Sequence, residues 1–411
     1  MSGYSRRAKA ILDKIDQLAS ISETTMGITR TFGTPSFLEG SRLIEQWMRE
    51  MGLQTRVDAI GNVRGRWVSP CESAKTFVIA SHMDTVVNAG RFDGPLGVIM
   101  GLDLLEQLIQ LGQPLPFHIE LIAFSDEEGV RFHTTYLGSK VVAGLFDDAL
   151  LNQKDASGTW LSEVIQTMGG DSRRLKSDAI APQDWLGYFE IHIEQGPVLY
   201  EKAIPVAVVT AIAGQKRIEI TFEGMAGHAG TVPMAMRQDA LCAAAEFILS
   251  AEQLAAGQTN LVATVGKLVV ANAASNVIPG DVVCSLDMRS SDAAVLAWAY
   301  QSLQDTCFDI GRMRSVTVGW KLIQETAPVA CDAQLTNRLA TAIAESGYDV
   351  IQLVSGAGHD GVPISQVAPI AMLFVRCFEG ISHNPLEQVE LADLAAALKV
   401  ADQFIKNLIV D

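Results

Sequence analysis

Histidines and carboxylates are the residues of this sequence best suited to chemistry. Only 7 of its 411 residues are histidine, so their placement carries information. His82 stands in Ser81-His82-Met83-Asp84, His192 in Ile191-His192-Ile193-Glu194-Gln195-Gly196, and His383 in Gly380-Ile381-Ser382-His383. Acidic residues recur in similar settings: Asp93 lies in Gly90-Arg91-Phe92-Asp93-Gly94-Pro95, and Asp126-Glu127-Glu128 follows the mainly apolar residues 117–124. Neutral imidazole combined with carboxylate suits zinc, manganese, cobalt or iron, and the scarcity of neighbouring thiolate argues against a structural zinc cluster. Glycines beside Asp93 let the backbone turn tightly and approach a ligand. Three adjacent carboxylates repel one another, and a bound cation relieves that repulsion. Two cations about 3.5–4 Å apart that share a carboxylate lower the pKa of water towards neutrality, and a non-ligating carboxylate nearby can pass the proton to a leaving nitrogen. Taken singly, His82 or His192 reads equally well as a hydrogen-bonded structural residue, Asp93 as a turn aspartate and the acidic triplet as a solvated loop. His118, within an apolar strand, and His133 read as structural.

Such side chains need rigid elements to aim them. Residues 7–18 carry Ala8, Ile11, Leu12, Ile15 and Leu18 at helical spacing, and residues 37–51 repeat the pattern before Gly52. Residues 76–80, 117–124, 188–191 and 370–375 read as buried strands, and 96–111 as a helix. Strands alternating with helices predict an α/β fold with a mainly parallel central sheet. The candidate residues fall at the carboxyl ends of these strands, where ligands collect in open α/β sheets. Between about residues 215 and 327 the texture changes to strand 217–222, a helix from Met234, strands 261–270 and 281–288, and a helix from Ser291. This predicts a smaller α+β insert, giving expected domains 1–213, 214–327 and 328–411, the first and last forming one interrupted catalytic domain. Beyond the insert the pattern predicts a helix over 333–345, a strand over 350–354 and a final helix from Leu391.

Composition excludes several function classes. With 48% hydrophobic residues and 14 prolines, the chain can bury a sizeable core. No apolar run approaches the roughly 18–20 residues of a membrane-spanning helix. Asp13, Lys14 and Asp16 interrupt the stretch after Arg6, Arg7 and Lys9, so no secretory leader is expected. Six scattered cysteines without C-x-x-C spacing read as reduced thiols, which points to the cytoplasm. A formal charge of −16 repels nucleic-acid phosphates. A small anionic substrate is still compatible, because a few arginines or a metal pair reverse the local field.

Five motifs in order, His82-Met83-Asp84-Thr85, Asp93-Gly94, Asp126-Glu127-Glu128-Gly129, His192-Ile193-Glu194-Gln195-Gly196 and Ser382-His383-Asn384-Pro385, resemble the amidase, hydantoinase and carbamoylase branch of the carboxypeptidase-G-like metallopeptidases. Each motif is weak alone, and their order across nearly the whole chain makes the match specific. Within that branch, Thr29-Arg30-Thr31-Phe32, residues 124–132, residues 227–234 and Ser355-Gly356-Ala357-Gly358-His359-Asp360 are most similar to the plant-type allantoate-hydrolysing group. Departures are small: Gly361 and Val362 follow His359-Asp360 where relatives often differ, and Asn384 stands where Ser is frequent.

The resemblance implies a di-metal exopeptidase-like catalytic domain interrupted by a lid and dimerisation domain. It implies that His82, Asp93 and His192 hold one divalent metal and Asp93, Glu128 and His383 the other, manganese first and zinc as the alternative. Asp84 is expected to orient the His82 imidazole and Glu127 to shuttle the proton. Gln195, Arg217, Asn276, Arg289, Gly358 and His359 match substrate-contact positions, bidentate arginine being well suited to a carboxylate. As alternatives, Arg217 and Arg289 read as surface ion-pair residues and Asn276 as a turn former. His228 matches a histidine that reaches into the neighbouring subunit and stabilises an oxyanion, which implies a homodimer. The implied reaction is hydrolysis of a ureido C–N bond, of allantoate to ureidoglycine, ammonia and carbon dioxide. An N-carbamoyl-L-amino acid and ureidoglycolate are alternative substrates. Dipeptide cleavage and a non-catalytic binding role are less compatible with the intact motif set.

Overall fold

Consecutive apolar residues with no polar face can only be satisfied in the middle of a sheet covered on both sides. The computed structural model describes residues 3–112 and 114–409. Its strands are β1 (Gln54–Val57), β2 (Val63–Trp67), β3 (Thr76–His82), β4 (His118–Phe124), β5 (Trp185–Ile193), β6 (Val206–Ile212), β7 (Gly214–Glu223), β8 (Gly227–His228), β9 (Leu261–Val270), β10 (Val277–Ile278), β11 (Asp281–Ser290), β12 (Thr317–Thr326), β13 (Val329–Ala330), β14 (Gln352–Ser355) and β15 (Ile370–Val375). The chain divides into two compact units, one running to Thr210 and resuming at Cys331, the other spanning Ala211–Ala330.

In the larger unit the sheet runs β1-β2-β4-β3-β5-β15-β6, with β14 also on β6. Its four central strands, β4-β3-β5-β15, are parallel, and the flanking pairs are antiparallel. Every residue of β3 and of β15 is buried. Their register levels the strand ends: His82 lies opposite Phe124, and His192 opposite Phe374. Parallel strands with level ends present all their carboxyl termini along one edge.

Helices Gly3–Ala19, Pro95–Leu111, Ala333–Glu345 and Leu391–Ile409 pack around this sheet, and Pro35–Glu50 covers the β1–β2 hairpin. The first buries Ala8, Ile11, Ile15 and Leu18, the stripe its spacing predicts. Thr34 caps the helix that begins at Pro35 by accepting the Phe37 N–H, and Asp332 caps Ala333–Glu345 in the same manner.

The smaller unit has its own core, built from β7, β11 and two helices, Ala240–Ala256 and Ala293–Arg314. Its sheet, β12-β7-β11-β9, is wholly antiparallel. Along β11 buried residues alternate with more exposed ones, as expected of a sheet with one covered face. The helix expected from Met234 instead begins at Ala240. Residues Met234–Met236 make one 3-10 turn, Arg237 is extended, and Asp239 supplies the cap by accepting the Cys242 N–H. The pattern also overlooks β1, β2, β6 and β12. In β2 the cause is a buried charge, since Arg64 pairs with Glu120 on β4 at 2.6 Å. Among the described residues no helix is long and apolar enough to cross a membrane, and all six cysteines are free.

Arg30 ties the first helix to the end of β3. Only 1% exposed, it donates from Nε to the Met83 carbonyl at 2.9 Å and from Nη1 to those of Leu18 and Ile21 at 3.0 and 3.2 Å. Burial lowers its pKa to about 10, with the Asp84 charge opposing. Arg30→Met should cost about 2–4 kcal/mol, because three carbonyls lose their donor. Urea unfolding measures this, and an unchanged midpoint would mean that water replaces the guanidinium.

Candidate metal centre

Three imidazoles converge on one carboxylate at the sheet edge. The Nε2 atom of His192 lies 3.1 Å from Asp93 Oδ1, that of His82 3.6 Å from the same oxygen, and that of His383 3.2 Å from Oδ2. His383 Nε2 also lies 3.5 Å from Glu128 Oε1. The ligand atoms of His82, Asp93 and His192 fall within 4.8 Å of one another, as do those of Asp93, Glu128 and His383.

Hydrogen bonding fixes how two of these rings face the carboxylate. His82 Nδ1 lies 3.1 Å from the Asp84 carbonyl, and His192 Nδ1 lies 2.9 Å from the Ile193 carbonyl. A carbonyl only accepts, so Nδ1 carries a proton and Nε2 faces Asp93, where either a second proton or a cation can lie between the two atoms. The buried Nε2 of His192 has no hydrogen-bond partner. Lone pairs on imidazole and carboxylate repel one another unless a cation or proton lies between them. Burial disfavours the charged forms, yet the contacts with His192, His383 and His82 hold Asp93 well below the usual carboxylate range. Burial likewise opposes charge on His82, while Asp93, Glu127 and Asp84 outweigh it and raise its pKa well above the ordinary value. His383 is raised to about 9, chiefly by Asp93. These nitrogen and carboxylate donors fit two divalent cations sharing Asp93.

The acidic triplet follows β4 and turns back through left-handed backbone at Asp126, with φ 53°. Its main chain is held by Leu137 N–H on the Asp126 carbonyl and Tyr136 N–H on that of Glu127, both at 3.1 Å. Asp84 meets His82 through its backbone carbonyl. Its carboxylate, with Oδ1 also 3.7 Å from His82 Nδ1, accepts the N–H groups of Glu127 at 3.0 Å and Glu128 at 3.2 Å, so it aims the triplet as well. Burial raises Glu127 well above the carboxylate range, and burial with the Asp93 charge brings Glu128 to about 7.

Other expected residues of the larger unit also lie here. Gln195, at φ 57°, donates from Nε2 to Asp93 Oδ2 at 2.8 Å. His359 stacks edge-on against His192 with centroids 4.6 Å apart, and its Nε2 is 2.7 Å from Ser355 Oγ. Burial and the neighbouring His192 lower its pKa well below the ordinary value, favouring a neutral ring. Gly358 lies against the Tyr136 hydroxyl. Sequence reasoning missed Glu387, whose Oε1 accepts the N–H groups of Phe92 and Asp93, and gave no role to Ser382, whose hydroxyl donates to Asp93 Oδ2 at 2.7 Å. Glu387 stands four residues after His383 among ordinary polar neighbours, and no local pattern marks it.

In the smaller unit, Asp287 gathers the two arginines. Arg289 approaches it with Nε and Nη2 at 3.0 and 3.1 Å, and Arg217, opposite it on β7, with Nε at 3.2 Å. Asn276 and His228 are neighbours, since Ala229 N–H donates to the Asn276 carbonyl at 2.9 Å and His228 pairs with Val277. His228 is exposed, and its Nδ1 accepts the Gly230 N–H at 3.0 Å, leaving Nε2–H as an outward donor.

Peptidase family M20/M25/M40 matches residues 78–407. Allantoate deiminase 2 of Glycine max is 38% identical over 429 residues of alignment, covering 96% of this chain and 88% of that protein. N-carbamoyl-L-amino acid amidohydrolase of Geobacillus stearothermophilus is 38% identical over 374 residues, covering 91% of each. A crystal structure of an amidase of the hydantoinase/carbamoylase family from Burkholderia multivorans superposes with TM-score 0.92 at 33% identity, covering 98% of both chains.

Gly94 tests the geometry. Its φ is 81°, and a Cβ there would lie 2.4 Å from the His82 ring. Gly94→Ala should displace that imidazole and weaken manganese or zinc binding about 10-fold or more. Calorimetric titration reads this, circular dichroism confirms the fold, and wild-type affinity would show that the ring tolerates the methyl.

Proposed function

Because the chain belongs to peptidase family M20/M25/M40, we propose that it is a binuclear metal-dependent amidohydrolase that cleaves a ureido C–N bond of allantoate. The observation that carries the chemistry is the convergence of three imidazole Nε2 atoms on Asp93, with Glu127 and Glu128 beside them. The relatives' names point to ureido substrates, and the allantoate-type motifs favour allantoate among them.

His82, Asp93 and His192 would hold one cation and Asp93, Glu128 and His383 the other. Two bound divalent cations, manganese by family resemblance or zinc by ligand type, would polarise the ureido carbonyl and lower the pKa of the attacking water. Glu127 takes the proton from that water and returns it to the leaving nitrogen. Burial holds its carboxyl above the usual range, which favours the proton-carrying form needed for the second step. Arg217 and Arg289, kept in place by Asp287, bind the substrate carboxylate. Gln195, Asn276, Gly358 and His359 complete the substrate contacts. Water adds to the ureido carbon, ammonia leaves, and the resulting carbamate loses carbon dioxide to give ureidoglycine.

The Geobacillus relative favours a second reading, N-carbamoyl-L-amino acid hydrolysis, which uses the same ureido attack and one carboxylate anchor. Manganese-loaded protein should release ammonia from allantoate with kcat/KM at least about tenfold above that for N-carbamoyl-L-amino acids or ureidoglycolate, equivalent to about 1.4 kcal/mol of transition-state binding. Ammonia from the N-carbamoyl compound alone would overturn the allantoate assignment. Dipeptide cleavage would overturn ureido specificity.

A homodimer completes this reading. His228 would act across the subunit interface as an oxyanion donor, and the exposed Met225, Met234 and Met236 flank it with apolar surface for a partner copy to cover. His228→Ala should lower turnover about 100-fold with metal content intact. Mixing it with Glu127→Gln subunits should recover activity, and inert mixed dimers would rule out a trans role.

A further inference from the structure

Beyond the expected ligands, one buried side chain joins the two turns that carry Asp93 and His383. Glu387 is 4% exposed. Its Oε1 accepts the Phe92 N–H at 2.7 Å and the Asp93 N–H at 3.1 Å. Its Oε2 lies 3.2 Å from Ser382 Oγ, which is closer, at 2.7 Å, to Asp93 Oδ2. The hydroxyl therefore gives its proton to Asp93, while Glu387 sits behind it. One carboxylate thus touches Asp93 from two directions, at its backbone and through the serine at its side chain.

Asp93 needs such restraint. Its carboxylate has two rotatable bonds and must present one oxygen to His82 and His192 and the other to His383. The Asp93 turn is shaped to admit the restraint, since a Cβ on Gly90 would lie 2.3 Å from Glu387 Cβ and 2.4 Å from its Oε1. We infer that Glu387 is the positioning residue of the centre: by clamping the Asp93 backbone and backing Ser382, it fixes the rotamer in which Asp93 is shared between two cations. It acts through Asp93 and is not itself a ligand. The inference rests on the proposed sharing of Asp93 and adds a residue to that reading.

Chelator-competition titrations with Mn2+ and with Zn2+ alone, on the full chain, test it together with unfolding temperatures of the metal-free protein. Glu387→Ala should weaken binding of both metals by about 10–100-fold, while the metal-free protein, lacking an acceptor for two N–H groups, unfolds at a modestly lower temperature and is still folded at the titration temperature. Glu387→Gln should recover most of the lost affinity, because the amide oxygen still accepts the two N–H groups and the amide nitrogen donates to Ser382 Oγ. Gly90→Ala should reproduce the loss by displacing the Glu387 side chain. Wild-type affinity in Glu387→Ala, or loss of its metal-free fold at the titration temperature, would overturn the positioning role. A Gln variant as weak as the Ala variant would overturn it too, by showing that charge matters and not geometry. Failure of the wild-type chain to bind either metal would instead overturn the shared-carboxylate reading itself.

Discussion

Asp93 faces three imidazole nitrogens within 3.1–3.6 Å, and the surrounding structure serves that convergence. Two of the rings are locked by carbonyls one or two residues on, so their Nε2 atoms must point at the carboxylate. Such an arrangement is attractive when positive charge, a cation or an added ring proton, lies between nitrogen and oxygen. The level ends of β3 and β5 bring His82 and His192 side by side, with ring centroids 5.7 Å apart. Gly94 removes the methyl that would strike one ring. The buried carboxylate of Glu387 holds the peptide groups on the opposite side of the turn.

The same constraint accounts for the concentration of buried acid around the centre. Asp84, Asp126, Glu127, Glu190 and Asp360 are all nearly inaccessible, a costly arrangement for carboxylates without counter-charge. Part of the cost is offset by backbone donors, as when Asp84 accepts the N–H groups of Glu127 and Glu128. Tyr188 donates to Glu190 at 2.8 Å, and Ser139 to Asp360 at 2.5 Å. Asp126, Gln195 and His383 of the centre also have positive φ, a conformation that costs energy in residues other than glycine.

The smaller unit solves a different problem. An antiparallel sheet with its own helices and core leaves one face free to carry polar groups, and on it Asp287 draws Arg217 and Arg289 together. A carboxylate between two guanidiniums leaves a net positive pair with fixed planes, suited to a small anion. The ion-pair alternative for these arginines and their proposed substrate role are therefore compatible, because Asp287 supplies the orientation a recognition site needs.

Much of this was legible in the residues. Largely apolar runs marked β3, β4 and β15, because a parallel strand buried on both faces carries few polar residues, Glu120 of β4 being one that Arg64 pairs. Histidine and carboxylate at the ends of such runs marked the cluster around Asp93, while the different roles proposed for Glu127 and Glu128 rest on the family resemblance. Other elements were not legible. A buried ion pair disguised β2, where Arg64 meets Glu120, and the cap at Asp239, with a 3-10 turn before it, moved a helix start from Met234 to Ala240. The sequence by itself determined which residue types could bind a metal and which strands would carry them, since both follow from local composition and period. Only the tertiary structure decided that Asp84 spends its carboxylate on the Glu127 and Glu128 amides, that Asp287 yokes the arginines and that Glu387 clamps Asp93. Apart from the Asp287–Arg289 pair, which is local, those contacts join residues 43 to 295 positions apart, and no local pattern encodes which distant group a side chain will meet.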